Sequence, residues 1–324
     1  MTYKRVLPFL SPYSPALTLF NGDYILAWTG QGGALNVYDL GSSIDTSGPR
    51  ARAPARPVRL RESGIENESS IGQPALVEFG GRLILGWTGT DGAGRLNVIS
   101  SADGKFFDQA TKRTFPELSM AGPALEVYDG QVFIAWTGVD GRGTLNLMSA
   151  RNGLDFGNKL ILKDRHSIDE SPSLAATLSS TAPVETRLHI GWTERGTNKV
   201  LFAEVMFNGG FVNNLDGFIF SAAGNPPYRG RQDVFSSVPP SLAGSFSLNV
   251  AWIAGNEHHV VWSASDLSSP GLGGLWSAPI EFKDSTDQPP ALLADALNRP
   301  KIAWRGLDDK HSINTADMAN MPTA

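Results

Sequence analysis

The sequence predicts an all-β protein, a six-bladed β-propeller with four antiparallel strands per blade, and three observations carry that prediction. A segment centred on tryptophan recurs six times, at Trp28, Trp87, Trp136, Trp192, Trp252 and Trp304, with intervals of 59, 49, 56, 60 and 52 residues. Within each copy the apolar runs are five to seven residues long and are divided by turn dipeptides, which is strand length and strand punctuation. The composition agrees, because 35 Gly, 21 Pro and only 18% charged residues in 324 describe many short elements joined by turns.

Each copy opens on a proline followed by a small residue and leucine: "PAL" from Pro15, Pro74, Pro123 and Pro290, and "PSL" from Pro172 and Pro240. Proline is tolerated at the first residue of a strand, so this marks where the first strand begins. In the first three copies it precedes its tryptophan by thirteen residues, and the later copies carry small insertions or deletions. Copy three shows the blade in full. "ALEVY" is the first strand, Asp129-Gly130 a hairpin turn, "VFIAWT" the second strand, "GVDGRG" a loop, "TLNLMS" the third strand, "RNG" a turn and "KLILK" the fourth strand. Repeating such a four-stranded sheet around an axis leaves few open sheet edges.

The ends predict closure of the ring. Residues 4 to 9, "KRVLPF", stand before "SPAL" as "KLILK" stands before "SPSL", so they read as a fourth strand without a blade of its own. The last copy has "KIAWRG" and "HSINTAD" for strands two and three and then stops. The N-terminal strand would complete the sixth blade, giving one domain over residues 1–324 with no internal linker.

Strand alternation places Leu26 with Trp28, Leu85 with Trp87, Ile134 with Trp136 and Ile190 with Trp192 on one face, and Ala27, Gly86, Ala135 and Gly191 on the other. A bulky face backed by a small one is what face-to-face packing of sheets requires. A second role stays open, in which Trp87, Trp136 and Trp192 are partly exposed at grooves between blades and offer an aromatic face to a sugar.

Two turns carry a family resemblance. "SSADGKFF" at Ser100–Phe107 and "SARNGLDF" at Ser149–Phe156 share the pattern S-x-x-[DN]-G-x-x-F between strands three and four. This is similar to the Asp-box of sialidase-like propellers, although there the acid usually follows the serine by two residues, whereas Asp103 and Asn152 follow Ser100 and Ser149 by three. The whole chain also resembles bacterial tandem propellers built from PAL, AWTG, LNV and S-x-D-G-x-x-F segments. The resemblance implies the propeller fold and leaves activity open, since propellers host both enzymes and lectins.

Composition narrows the partners. With 27 basic and 32 acidic residues the formal charge is -5, which disfavours binding to a nucleic-acid backbone. The absence of cysteine removes disulfides, thiolate metal sites and a cysteine nucleophile. The start, "MTYKRVLPFLSPYSPAL", reads as neither a signal peptide nor a membrane span, so a soluble chain without membrane insertion is expected, cytoplasmic or exported by a non-classical route. The adjacent His258 and His259 would point to opposite faces of a strand and so do not suggest a metal site. No metal and no cofactor are expected.

Loops joining strands two and three, and connectors from strand four to the next strand one, should share one rim. The first set offers Asp91, Asp140, Glu194 and Asp308; the second offers Asp169, Glu170, Tyr228, Arg229 and Arg231. Near-identical loops in copies two and three suit several equivalent shallow sites and hence multivalent binding, whereas catalysis needs unlike groups converging once. The expected function is therefore non-catalytic recognition of glycans through rim loops or inter-blade grooves, with Asp91, Asp140, Asp308, Trp87, Trp136 and Trp192 as binding residues. Changing Asp91 and Asp140 should then weaken binding with little effect on stability. The alternative is a sialidase-like glycoside hydrolase, using Glu194, Tyr228, Asp169, Arg229 and Arg231 where the repeat breaks. A protein-interaction scaffold is the second alternative. The arginine-rich insertion in copy one, from Arg50 to Arg61, would be a solvated loop or a docking site for an acidic partner.

Overall fold

The computed structural model describes residues 3–44, 63–178, 186–205, 234–254, 258–264, 276–295 and 299–323. It is a six-bladed β-propeller. Blade 1 holds β2 (Ala16–Phe20), β3 (Asp23–Thr29) and β4 (Leu35–Gly41). Blade 2 holds β5 (Ala75–Phe79), β6 (Arg82–Thr88), β7 (Arg95–Ser101) and β8 (Phe107–Leu118). Blade 3 holds β9 (Ala124–Tyr128), β10 (Gln131–Thr137), β11 (Thr144–Ala150) and β12 (Gly157–His166). Blade 4 shows β13 (Ser173–Leu178), β14 (Thr186–Thr193) and β15 (Val200–Val205) among the described residues. Blade 5 holds β16 (Ser241–Gly244), β17 (Leu248–Ala254), β18 (His259–Ala264) and β19 (Ile280–Ser285). Blade 6 holds β20 (Ala291–Ala294), β21 (Pro300–Arg305) and β22 (Ser312–Asp317), and β1 (Lys4–Leu10) completes it.

Ring closure is as the ends of the sequence predict. Strand β1 runs antiparallel to β22, with Lys4 opposite Ala316 and Val6 opposite Asn314. The innermost strands touch in succession from β2 through β5, β9, β13 and β16 to β20, and β20 returns to β2. Side chains add a second seam: Lys4 Nζ and Tyr3 Oη donate to the two oxygens of Asp284 in blade 5, each at 2.6 Å.

The core lies between blades. Leu26 and Trp28 of blade 1 pack on Ala303 and Ile313 of blade 6, while Ile25 and Ala27 face Leu76, Leu85 and Trp87 of blade 2. Each tryptophan therefore leans on the preceding blade and each small residue admits the following one. At Gly86 an added Cβ would lie 3.1 Å from Leu125 Cδ1 of blade 3. All six repeat tryptophans are buried, none more than 6% exposed, so each contributes on the order of 2–3 kcal/mol or more by burial.

The recurring "WTG" and "LN" segments are one packed unit. Asn36, Asn97, Asn146 and Asn314 sit directly opposite Trp28, Trp87, Trp136 and Trp304. Each donates Nδ2 to the carbonyl two residues earlier, at 2.8–3.1 Å. A Cβ on the glycine two residues after the tryptophan would come within 2.9 Å of that Nδ2 at Gly30, Gly89 and Gly138, and within 2.8 Å at Gly306. Where the glycine is replaced the asparagine is too: Glu194 accompanies Leu201 opposite Trp192, and Ala254 accompanies Val261 opposite Trp252. The departure at Glu194 is thus half of a paired packing change. The threonine of the segment fastens the next connector: Thr29, Thr88, Thr137 and Thr193 donate to the carbonyls of Gly72, Ala121, Glu170 and Val238 at 2.6–2.8 Å.

The Asp-box-like turn needs one correction. The serine that bonds Asp103 is Ser101, at 2.9 Å, whereas Ser100 receives the Arg82 guanidinium. Neighbours on a strand point to opposite faces, so the functional spacing is the two residues of the Asp-box. Asp103 Oδ1 also accepts from Lys105 N and Phe106 N, and Gly104 at φ +74° brings the turn so close to blade 1 that a Cβ would lie 2.9 Å from Phe20.

Candidate functional site

The connectors and the loops between second and third strands share one rim. Ile71 N bonds Thr88 O, Met120 N bonds Thr137 O and Ile168 N bonds Thr193 O, each at 3.0 Å. The rim carboxylates are held by their own loops. Asp91 Oδ1 accepts from the amides of Ala93, Gly94 and Arg95, and Oδ2 takes the Arg95 guanidinium at 2.8 Å. Asp140 accepts from Arg142 N, Thr144 N and the Thr144 hydroxyl, and that hydroxyl is the main reason its carboxyl is held down to about 2. Asp308 accepts from Lys310 N and Ser312 N. These side chains organise hairpin loops, so removing them would disturb the loop itself.

Trp87, Trp136 and Trp192 are 1–2% exposed. Stacking a pyranose needs an open ring face, which burial against the preceding blade denies them; Trp136 contributes only to the lining of a groove.

Of the residues named for hydrolysis, Tyr228, Arg229 and Arg231 lie outside the described residues, as do Arg50 to Arg61. Glu194 and Asp169 do reach the same part of the rim. Ser167 forms a β-bridge with Glu194, and Arg195 pairs with Asp169. Glu194 accepts from the Thr197 hydroxyl at 2.6 Å. Burial, and then the charge of Asp169, push the Glu170 carboxyl up. The connector here places its serine five residues before the blade's proline, one more than its counterparts. In four of the others, Ser11, Ser70, Ser119 and Thr286 donate to the carbonyl two residues on, whereas the buried Ser167 hydroxyl has no partner among the described residues. A serine or threonine four residues before the proline of the other five blades is legible in the sequence and was missed. Among the described residues no group of three or more His, Asp or Glu is placed to hold a metal, and His259 pairs with Glu281 at 2.7 Å.

One candidate site is the groove between blades 2 and 3, an open cleft with a cavity of about 340 Å³ lined by Pro116, Glu117 and Leu118 of β8, by Trp136, Gly138, Val139, Asp140, Thr144 and Asn146, and by Lys159 and Ile161 of β12. Lys159 Nζ donates to Glu117 and lies 5.4 Å from the Trp136 ring centroid. One cation thereby bridges the carboxylate of one blade and the aromatic face of the next.

The arrangement recurs. Lys112 lies 5.6 Å from the Trp87 ring and pairs with Glu68, and Lys4 lies 5.7 Å from the Trp304 ring and pairs with Asp284. These two are held more firmly. Lys112 bonds both oxygens of Glu68, which also accepts from Gln109, while Asp284 takes Tyr3 as well and is 5% exposed. Lys159 and Glu117 are 37% and 20% exposed, the most open of the three pairs. None of Lys159, Glu117 or Asn146 was singled out from sequence, although K-x-x-[LF] recurs at Lys4, Lys112 and Lys159 on the fourth strands and could have marked the clamp.

The class that fold and groove define is a six-bladed propeller with a polar, aromatic-backed cleft between blades. No protein-family model matches the chain, and no curated protein matches it. Solved structures do. The chain is similar to the Aleuria aurantia lectin, a six-bladed propeller solved with α-methyl-L-fucoside, at 12% identity over 96% of this chain and 92% of that one, with a TM-score of 0.60. It is similar to SapL1 lectin in complex with α-methyl fucoside at 12% identity, covering 97% and 96% with a TM-score of 0.57. It is also similar to a proposed oxidoreductase (glucose dehydrogenase) from Thermus thermophilus at 14% identity, covering 96% and 99% with a TM-score of 0.51. At such identities the likeness is one of fold.

Proposed function

We propose that this propeller binds carbohydrate without catalysis, and that a sugar sits in the groove between blades 2 and 3. The observation that carries this reading is the Lys159–Glu117 pair, half-open and backed by Trp136, in a cavity of about 340 Å³. That volume lies at the small end of ligand sites. A sugar hydroxyl both donates and accepts, so neighbouring hydroxyls can satisfy the Glu117 carboxylate and the Lys159 ammonium together. The paired charges cancel, so a neutral sugar enters without stranding either one. An anionic sugar would have to separate them, which argues against sialic acid as the ligand.

Blade repetition supports binding in general; the looser pairing here favours this groove over its two counterparts. The propeller lectins solved with fucosides make methyl α-fucoside a sensible first ligand. A glycan array followed by calorimetry on the parent, Lys159→Met and Glu117→Gln tests the reading. Both variants should lose at least tenfold in affinity while melting within a few degrees of the parent. Unchanged affinity in both would remove this groove as the site. Turnover of chromogenic glycosides by the parent would replace binding with hydrolysis.

A further inference from the structure

We infer that the ligand of this groove is an amphipathic glycoside, a neutral sugar bearing an apolar aglycone, a conclusion that rests on the carbohydrate-binding reading above. The cavity lining is of two kinds: Glu117, Lys159 and Asn146 are polar, while Val139 and Ile161 are apolar and 43% and 49% exposed. Both apolar side chains are open beside the cavity and within reach of a ligand that fills it.

Comparison between blades shows which of them carry this division: blade 6 shares it, with Val6, 57% exposed, opposite Asn314, and blade 2 does not. The residue two beyond the clamp lysine sits opposite the asparagine: Thr114 opposite Asn97 in blade 2, Ile161 opposite Asn146 in blade 3. Thr114 donates its hydroxyl to Asn97 Oδ1 at 2.6 Å, closing that amide within the protein. Isoleucine can offer no such bond. Asn146 donates Nδ2 to Thr144 O, and its Oδ1 has no protein partner among the described residues, in a side chain 6% exposed. An acceptor that no described protein group uses therefore stands beside an open apolar side chain on the neighbouring strand. A sugar hydroxyl answers the first and an aglycone running outward over Ile161 and Val139 answers the second. Leu118 and Pro116 extend the apolar wall on the blade 2 side.

The test pairs methyl with n-hexyl glycosides of fucose, galactose, mannose and glucose, titrated by calorimetry below the micellar range. A fully buried methylene is worth roughly a fourfold gain in affinity, so about five extra carbons partly covered should bring at least tenfold. Ile161→Ala with Val139→Ala should bring the hexyl-to-methyl affinity ratio down to about one. Equal binding of hexyl and methyl forms, or a gain that survives in the double variant, overturns the inference while leaving the sugar site standing. Competition by n-hexanol as effective as by the hexyl glycoside also overturns it, since the sugar would then add nothing. Binding of neither form of any sugar defeats the carbohydrate reading itself.

Discussion

Changing Gly138 to alanine should destabilise the protein, and changing Asn146 to valine in the same chain should recover most of the loss. Gly138 does not occupy the left-handed region, so alanine meets no backbone strain there and even loses some unfolded-state entropy. What it meets is Asn146 Nδ2 at 2.9 Å, with Thr144 O at 3.3 Å. The amide must move, and its 2.8 Å bond to Thr144 O goes with it. Overpacking with a lost buried hydrogen bond costs about 2–3 kcal/mol. Asn146→Val alone loses only the bond, about 1 kcal/mol. Together they recreate the Ala254 and Val261 pair that blade 5 already uses, so the double variant should also sit about 1 kcal/mol below the parent. The coupling is then about 2–3 kcal/mol, well outside the additivity of independent sites. Melting temperatures and urea midpoints of the four proteins measure it. A cost below about 0.5 kcal/mol for Gly138→Ala, or simple additivity in the double variant, would refute the paired-packing argument.

Other outcomes follow from the same geometry. Asp140→Ala should lower stability by about 1–2 kcal/mol through loss of its loop hydrogen bonds, seen as a lower urea midpoint and faster amide exchange over residues 141–144. The buried His189, whose Nε2 meets the Thr177 hydroxyl at 2.9 Å, is pushed by burial, and secondarily by Arg187, down to about 3. The unfolded chain holds the extra proton between pH 6.5 and 3, so this residue's contribution is whole above 6.5 and is lost as pH falls towards 3. His189→Asn, the residue at the equivalent place in blade 5, should flatten the acid side of a melting-temperature profile. Glu126 has the opposite sign, because burial raises its carboxyl to about 7: its contribution is complete below 4.5 and fades as pH rises through 7. Glu126→Gln should therefore stabilise at pH 8 relative to pH 5. Asp284→Ala strands Lys4 and Tyr3 and should cost about 2–3 kcal/mol, with β1 becoming the first segment cut in limited proteolysis.

Much of the fold was legible because its signals are local. Alternation along "YILAWTG" places Leu26 and Trp28 on one face whatever the rest of the chain does, and the orphan strand "KRVLPF" can be matched to an incomplete last blade by counting. The glycine after "WT" was visible as a repeat, but its reason was not, since Gly138 and Asn146 meet only once β10 pairs with β11. For the same cause Glu194 looked like chemistry until Leu201 appeared opposite Trp192. The serine of the Asp-box-like turn was assigned one position early, because strand faces are a matter of register and "SS" offers two choices.

The sequence alone determined the blade, the number of blades and the way the ring shuts, since each follows from short-range patterning and from the order of repeats. Only the tertiary structure decided the groove. Glu117 and Lys159 are 42 residues apart and belong to different sheets, and nothing in either strand says that the two will meet over Trp136. The rim aspartates are the converse: conspicuous in the sequence, they are spent on their own loops. Hydrophobic periodicity is fixed by bonds along the chain, whereas a binding cleft is made by side chains that meet across the gap between sheets, and their pairing exists only after the sheets have packed.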